Sequence, residues 1–254
     1  PGAWGTPDWV YEAGAEPCWF IDHNRYHKTY GQRFRTPLPW DGVWLDRWSR
    51  LIAAFGERYS GEAQVALIQM AGPAKTSGEM HLPKPADVQT PWEEMGYTRE
   101  RLVSAWRRVL DAYSEAFPDK YKALCLANPI NDAGVLDPIL DYAYSSMDGR
   151  FCVQGNWFHG KGDMTLGLTD DDGTGHRHIL NLYLQYARRV SAGLQPVSWP
   201  TDPGYRRRMG DPALMFENGR RMGCTYCEVQ AGWMRDAQCR KMLEEFAAET
   251  HGSR

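Results

Sequence analysis

The sequence predicts an α/β fold made by regular alternation of strands and helices, and three observations carry that expectation. After one opening helix, a strand-then-helix order repeats five times, the pattern of a parallel sheet with helical crossovers. The connections are lopsided. Those from helix to strand are short (60–62, 118–120, 193 and 223), whereas those from strand to helix run over 72–97, 129–135, 159–175 and 200–210. Loops that long are usually functional, and all of them would lie at the carboxyl ends of the strands. Finally, 254 residues and 29.0 kDa are enough to bury a substantial core.

The elements follow in order. Helix 43–59 carries Trp44, Trp48, Leu51, Ile52, Phe55 and Tyr59 at helical spacing, with Asp41 as its N-cap and Ser60-Gly61 as its stop. The apolar run 63–73, closed by Gly72-Pro73, reads as a buried strand. Thr98 opens helix 98–117, whose face is Leu102, Trp106, Val109, Leu110, Tyr113 and Phe117. Strand 121–128, a weaker helix 136–147 and strand 151–158 come next, then helix 176–192 closed by Gly193. Segment 194–199 is a poorer strand, because Pro196 lacks a ladder donor. Helix 211–222, strand 224–230 and helix 235–250 complete the chain.

Composition narrows the function. A 43% hydrophobic, 24% charged chain is globular, and its apolar runs fall short of the ~20 residues of a membrane span. A net charge of −3 argues against a dedicated nucleic-acid binder. The opening PGAWGTPDWV has neither the basic nor the apolar region of a signal peptide, so none is expected there, and the compartment stays unknown. The six cysteines read as buried thiols, since the Cys224–Cys227 pair lacks the second half of a zinc site. The histidines show no HExxH spacing, and 72–79 has neither a Walker ending nor GxGxxG, so no metal or cofactor is expected. Asp170-Asp171-Asp172 reads as solvated surface.

Two architectures accommodate the pattern: an open doubly wound sheet, or a (β/α)8 barrel, whose eight units need about 250 residues. Three segments favour the barrel. They are Gly2–Val10; Thr36–Asp41 with the helix ending Arg58-Tyr59; and Val65–Met80, running into Ser77-Gly78-Glu79-Met80-His81-Leu82-Pro83. In order and spacing they resemble the clan of TIM-barrel glycoside hydrolases that includes β-galactosidases and cellulases. The resemblance is best over 1–85. It implies a TIM-barrel-type domain over 1–254 with only about the last five strands clearly present, an incomplete barrel that an N-terminal fragment or a partner chain completes. The alternative is that 1–40 runs irregularly.

The resemblance also implies chemistry: cleavage of a poly- or oligosaccharide between two carboxyls, with Glu79 at the acid/base position. This chain departs from the clan in having Gly78 where Asn is usual, and Gln195 on strand seven where the nucleophilic glutamate belongs. Glu228 on the last strand is then the candidate partner, either pointing into the site or paired with Arg206–Arg208 or Arg235. Such hydrolysis needs carboxyls ~5 Å apart for retention or ~6.5–9.5 Å for inversion. Polar and aromatic residues at strand ends supply substrate-binding candidates: His81, Asn128, Asn156, Trp157, Gln195 and Trp199, with Asn131, His159, Gln230 and Trp233 at the same end. The competing expectation is a non-catalytic carbohydrate-binding barrel within a larger assembly, which Gln195 favours.

Overall fold

The computed structural model describes residues 5–25, 28–75, 79–165, 175–197 and 209–251. The chain divides into two compact units. One comprises 1–151 with 173–176, the other 152–172 with 177–254.

The first unit opens with a short helix α1 (Asp8–Glu12) and an antiparallel pair, β1 (Pro17–Ile21) and β2 (Arg33–Pro37), in register from Pro17 opposite Pro37 to Ile21 opposite Arg33. No regular element was expected here. The pair holds because alternate residues bury, Cys18 and Phe20 on β1, while Arg33 lies over the Trp19 ring at 3.9 Å and Arg35 over Tyr11 at 4.0 Å. Residues 87–89 extend it through Ile21 N–H to Asp87 O and Gln89 N–H to Trp19 O.

Helix α2 (Gly42–Tyr59) starts where expected, with Asp41 accepting from Trp44 N–H at 2.7 Å. Its apolar stripe splits, however. Trp44 and Ile52 are buried, but Leu51, Phe55 and Tyr59 are 45%, 49% and 39% exposed. Strand β3 (Leu67–Met70) is shorter than the apolar run around it. It stops where side chains claim the Ala71 backbone: Trp48 Nε1 donates to Ala71 O, and Ala71 N donates to the Tyr113 hydroxyl. Helix α3 (Arg99–Ala116), capped by Thr98, leads to β4 (Tyr121–Cys125), which pairs in parallel with β3. Lys122 on β4 is buried, and its ammonium donates to Phe117 O at 3.0 Å and Lys120 O at 2.9 Å, closing off the end of α3. After β4 the chain makes two tight turns before α4 (Leu136–Ser146).

The second unit carries β5 (Phe151–Phe158), α5 (Gly175–Ala187), β6 (Ser191–Pro196), α6 (Pro212–Arg221), β7 (Tyr226–Cys227), α7 (Ala231–Arg235) and α8 (Ala237–His251). β6 pairs in parallel with β5 on one side and with β7 on the other. In each unit the strand order follows the chain order, with no reversal at a switch point. The fold is therefore α/β of the (β/α)8-barrel type, with five of its parallel strands among the described residues.

Of the boundaries that differ from expectation, two bear on the second unit's strands. Strand β6 begins at Ser191, three residues early, because Gly193 is not a helix stop. A Cβ there would run into Cζ, Cε2 and Oη of Tyr226, so glycine admits the neighbouring strand's ring. Strand β7 is only two residues long, although its hydrogen bonding continues through Thr225 N–H to Ala192 O and Glu228 N–H to Leu194 O.

The loops above β5 and β6 meet at a pair of glycines. Gly160 N–H donates to Met209 O at 2.6 Å and Asp211 N–H to Gly160 O at 3.0 Å, an approach that leaves no space for a Cβ on Gly160 or on Gly210, whose φ is +72°. Beneath them the buried Asn218 of α6 donates to Gly162 O at 2.8 Å and His159 O at 3.3 Å and accepts from Met164 N–H at 3.4 Å. Pro212 and the Asp211 cap start α6 directly after this crossing.

Candidate functional site

In the second unit, strand alternation sets polar residues on one face of three neighbouring strands: Gln154 and Asn156 on β5, Gln195 on β6, and Tyr226 and Glu228 at β7. Side-chain bonds join them. The Tyr226 hydroxyl donates to Gln154 Oε1 at 3.1 Å. Gln154 Nε2 spends both hydrogens, one on Asn156 Oδ1 at 2.9 Å and one on Glu228 Oε2 at 2.6 Å. Gln195 Nε2 donates to Glu228 Oε1 at 2.8 Å. The two oxygens of Glu228 each accept an amide N–H, the hydrogen-bonding role of a carboxylate anion. Gln154 is buried and fully engaged, while Glu228 faces solvent.

Glu228 is thus held by two neutral amides and not by Arg235. Arg206–Arg208, the other arginines considered for it, lie outside the described residues. Two residues on, Gln230 Nε2 donates to Pro196 O at 3.1 Å, which fixes its amide, and its Oε1 is buried without a protein partner. Trp157 does not wall this face. Its ring packs over Gly155 and meets Tyr183 of α5 edge-on, with centroids 5.6 Å apart. Trp199 lies outside the described residues, as does the 170–172 acidic run.

The first unit holds the remaining candidates. Glu79 and His81 pair with each other, Oε2 to Nε2 at 3.2 Å, the glutamate side chain being 25% exposed. Asn128 follows β4, and its Oδ1 is buried without a protein partner. Next to it Ile130 and Asn131 have φ of 53° and 57°. For a β-branched isoleucine that is a strained conformation, of a kind that clusters at functional sites. Asp132 restrains it by accepting from Arg99 Nε at 2.7 Å, Arg99 Nη2 at 2.8 Å and the Tyr97 hydroxyl at 2.8 Å. Burial, then that bond to Asp132, push the Tyr97 phenol up. Glu79 and Glu228 belong to different units.

Among the described residues no three of His, Cys, Asp and Glu are grouped so as to hold a metal ion. All six cysteines are free thiols, five of them buried. Cys224 donates to Tyr226 O, and burial pushes its thiol well up and that of Cys227 to about 12. No helix is long and apolar enough to cross a membrane among the described residues.

Comparison with known proteins gives little. No family model and no curated protein matches the chain. One solved structure that it resembles is that of a sugar phosphate isomerase/epimerase from Parabacteroides distasonis, at 14% identity and a TM-score of 0.29, over 68% of this chain and 75% of that one. These findings correct the expectation of a glycoside hydrolase. No family of that clan matches, and the resembling structure carries an isomerase/epimerase name. The non-catalytic carbohydrate-binding barrel has no support either. Of the implied resemblance, the barrel-type fold stands and the clan does not.

The residues that sequence reasoning missed, Gln154 and Tyr226, had a readable signal. Each lies two positions before a candidate already chosen, Asn156 or Glu228, and so shares its face.

Proposed function

We propose that the second unit binds a small polyhydroxylated, sugar-type substrate at the carboxyl ends of β5, β6 and β7, and that Glu228 transfers a proton on it, as in aldose–ketose isomerisation or epimerisation. The observation that supports this is the grip of Gln154 and Gln195 on both oxygens of Glu228. A single oriented carboxylate beside a neutral glutamine is equipped for proton abstraction next to a carbonyl. Glu228 takes the proton from the carbon bearing a hydroxyl, the electron pair moves onto the neighbouring carbonyl oxygen, and the second N–H of Gln195 is available to steady the enediolate. For isomerisation the hydroxyl proton of the enediolate passes to the neighbouring oxygen, and Glu228 returns the carbon's proton to the adjacent carbon. Asn156 belongs to the same proposal as a positioning group, holding Gln154 in place.

Further polypeptide beside β3 is part of the proposal too. That strand stands at the end of its sheet order, and Leu51, Phe55 and Tyr59 are exposed on α2. Glu79, His81 and Asn128 remain candidates for a substrate contact in the first unit.

The test is incubation of the chain with aldoses, ketoses and their phosphate esters in D2O, read by proton NMR. Deuterium should enter at the carbon next to the carbonyl, and Glu228→Gln should slow that entry by at least 100-fold. No exchange with any of these compounds would remove the proposal.

A further inference from the structure

Resting on that reading, we infer that Tyr226 is a positioning residue for the proton transfer, its hydroxyl acting through Gln154 to aim and strengthen the N–H that Glu228 accepts. The alignment of three strands carries this. Gln154 on β5, Gly193 on β6 and Tyr226 on β7 stand opposite one another. The middle residue has no side chain, and the Tyr226 ring occupies the place where its Cβ would be. The phenol therefore crosses β6 and reaches Gln154, two strands away, at 3.1 Å. Asn156, Gln195 and Glu228 follow two positions later along the same three segments, and they make the row that the proton-transfer reading places against substrate.

Two anchors set the Gln154 amide. Its Oε1 only accepts, so the Tyr226 hydroxyl donates to it, and one Nε2 hydrogen is given to Asn156 Oδ1 at 2.9 Å. With both ends tied, the plane of the amide is fixed, and its remaining N–H points at Glu228 Oε2, 2.6 Å away. The bonds also run in one direction, from phenol to amide oxygen and from amide nitrogen to carboxylate. A donor on an amide's oxygen draws electron density from its nitrogen, which makes the N–H on the far side a stronger donor. Gln154 is 1% exposed, so water does not take over from the phenol when the hydroxyl is removed. The amide then keeps one anchor and turns about its last bond. The hold on Glu228 Oε2 weakens, while Gln195 keeps Oε1 at 2.8 Å. Glu228 is still present but less well aimed, which slows the chemical step and leaves substrate binding as it was.

The experiment compares the whole chain with Tyr226→Phe, which keeps the ring over Gly193 and removes only the hydroxyl. In the deuterium-exchange assay the variant should lose about ten-fold in kcat, with KM changed by less than about two-fold. In a Gln154→Met background the same substitution should change kcat by less than about two-fold, because the path through the amide is already cut. Proton–nitrogen NMR of the Gln154 side chain reads the same point without substrate. In Tyr226→Phe one of its amide protons should move upfield, and both should exchange with solvent faster than in the unmodified chain. Melting curves establish that each variant is folded. Should Tyr226→Phe not fold, the unmodified chain decides, since its Gln154 amide protons should exchange at least about ten-fold more slowly than those of the exposed Gln64. Full kcat in Tyr226→Phe, a loss that lies in KM alone, the same loss in the Gln154→Met background, unchanged Gln154 signals or an unprotected Gln154 amide overturns the inference. An unmodified chain that exchanges no deuterium defeats the proton-transfer proposal instead, and the Gln154 spectra alone then uphold or overturn the hold of Tyr226 on that amide.

Discussion

Gly193→Ala places one methyl group where the Tyr226 ring now lies. The new Cβ would overlap Cζ, Cε2 and Oη of that ring, which is held from the other side by its bond to Gln154 at 3.1 Å. Forcing a methyl into a packed contact costs about 1–3 kcal/mol, and losing the phenol–amide bond about 1 kcal/mol more, for roughly 2–4 kcal/mol in all. For a chain of this size each kcal/mol moves the melting temperature by about 2–4 °C, so a fall of roughly 5–15 °C is expected. Differential scanning calorimetry on matched samples measures it. The double variant Gly193→Ala with Tyr226→Ala removes the obstructed ring and should recover part of the loss, a coupling that independent sites do not show. A single variant melting within 1 °C of the parent would refute the reasoning, because Gly193 would then not be making room for Tyr226.

Other outcomes follow from the same geometry. Asn218→Ala removes three bonds to the 159–164 loop and should destabilise by about 2–4 kcal/mol, with faster amide hydrogen exchange at Met164. Lys122→Met leaves the Phe117 and Lys120 carbonyls without their ammonium donor and should lower the urea midpoint, equivalent to about 2 kcal/mol. The Cys18 and Cys227 thiols are both pushed up to about 12 by burial, so the native state favours the protonated form. Their contribution is fully present below the unfolded thiol value near 9 and is lost as pH rises from there towards 12. Unfolding free energies from urea titrations at pH 8 and pH 10 should differ by about 3 kcal/mol in favour of pH 8. If they are equal, these thiols are not protected by burial.

The helices were the most legible part of the chain. Asp41, Thr98 and Asp211 cap where their side chains can accept from the first turn, a local interaction that neighbouring residues determine. Strand ends were less legible because contacts distant in sequence set them. Trp48 and Tyr113 terminate β3 at Ala71, and Gly193 answers to a tyrosine 33 positions away. The exposure of Leu51, Phe55 and Tyr59 was not readable from helical spacing, which shows that residues share a face but not whether anything covers it. At the site, Glu228 and Gln195 were found as separate candidates, whereas their bond depends on the register of β6 against β7. The dipeptide Ile130-Asn131 gave no warning of its left-handed backbone, since nothing in isoleucine favours it.

The crossing of Gly160 and Gly210 has a consequence for how this molecule can change. Two backbones joined where neither residue can carry a side chain form a seam, and the seam fixes where each loop enters and leaves the platform above β5 and β6. The stretch it encloses is no spare cloth, because α5, β6 and the glycine that admits Tyr226 all lie between the two stitches. A methyl group at either glycine would part the backbones where the turn after β5 meets the start of α6, and the bonds that Asn218 makes to residues 159–164 would loosen with it.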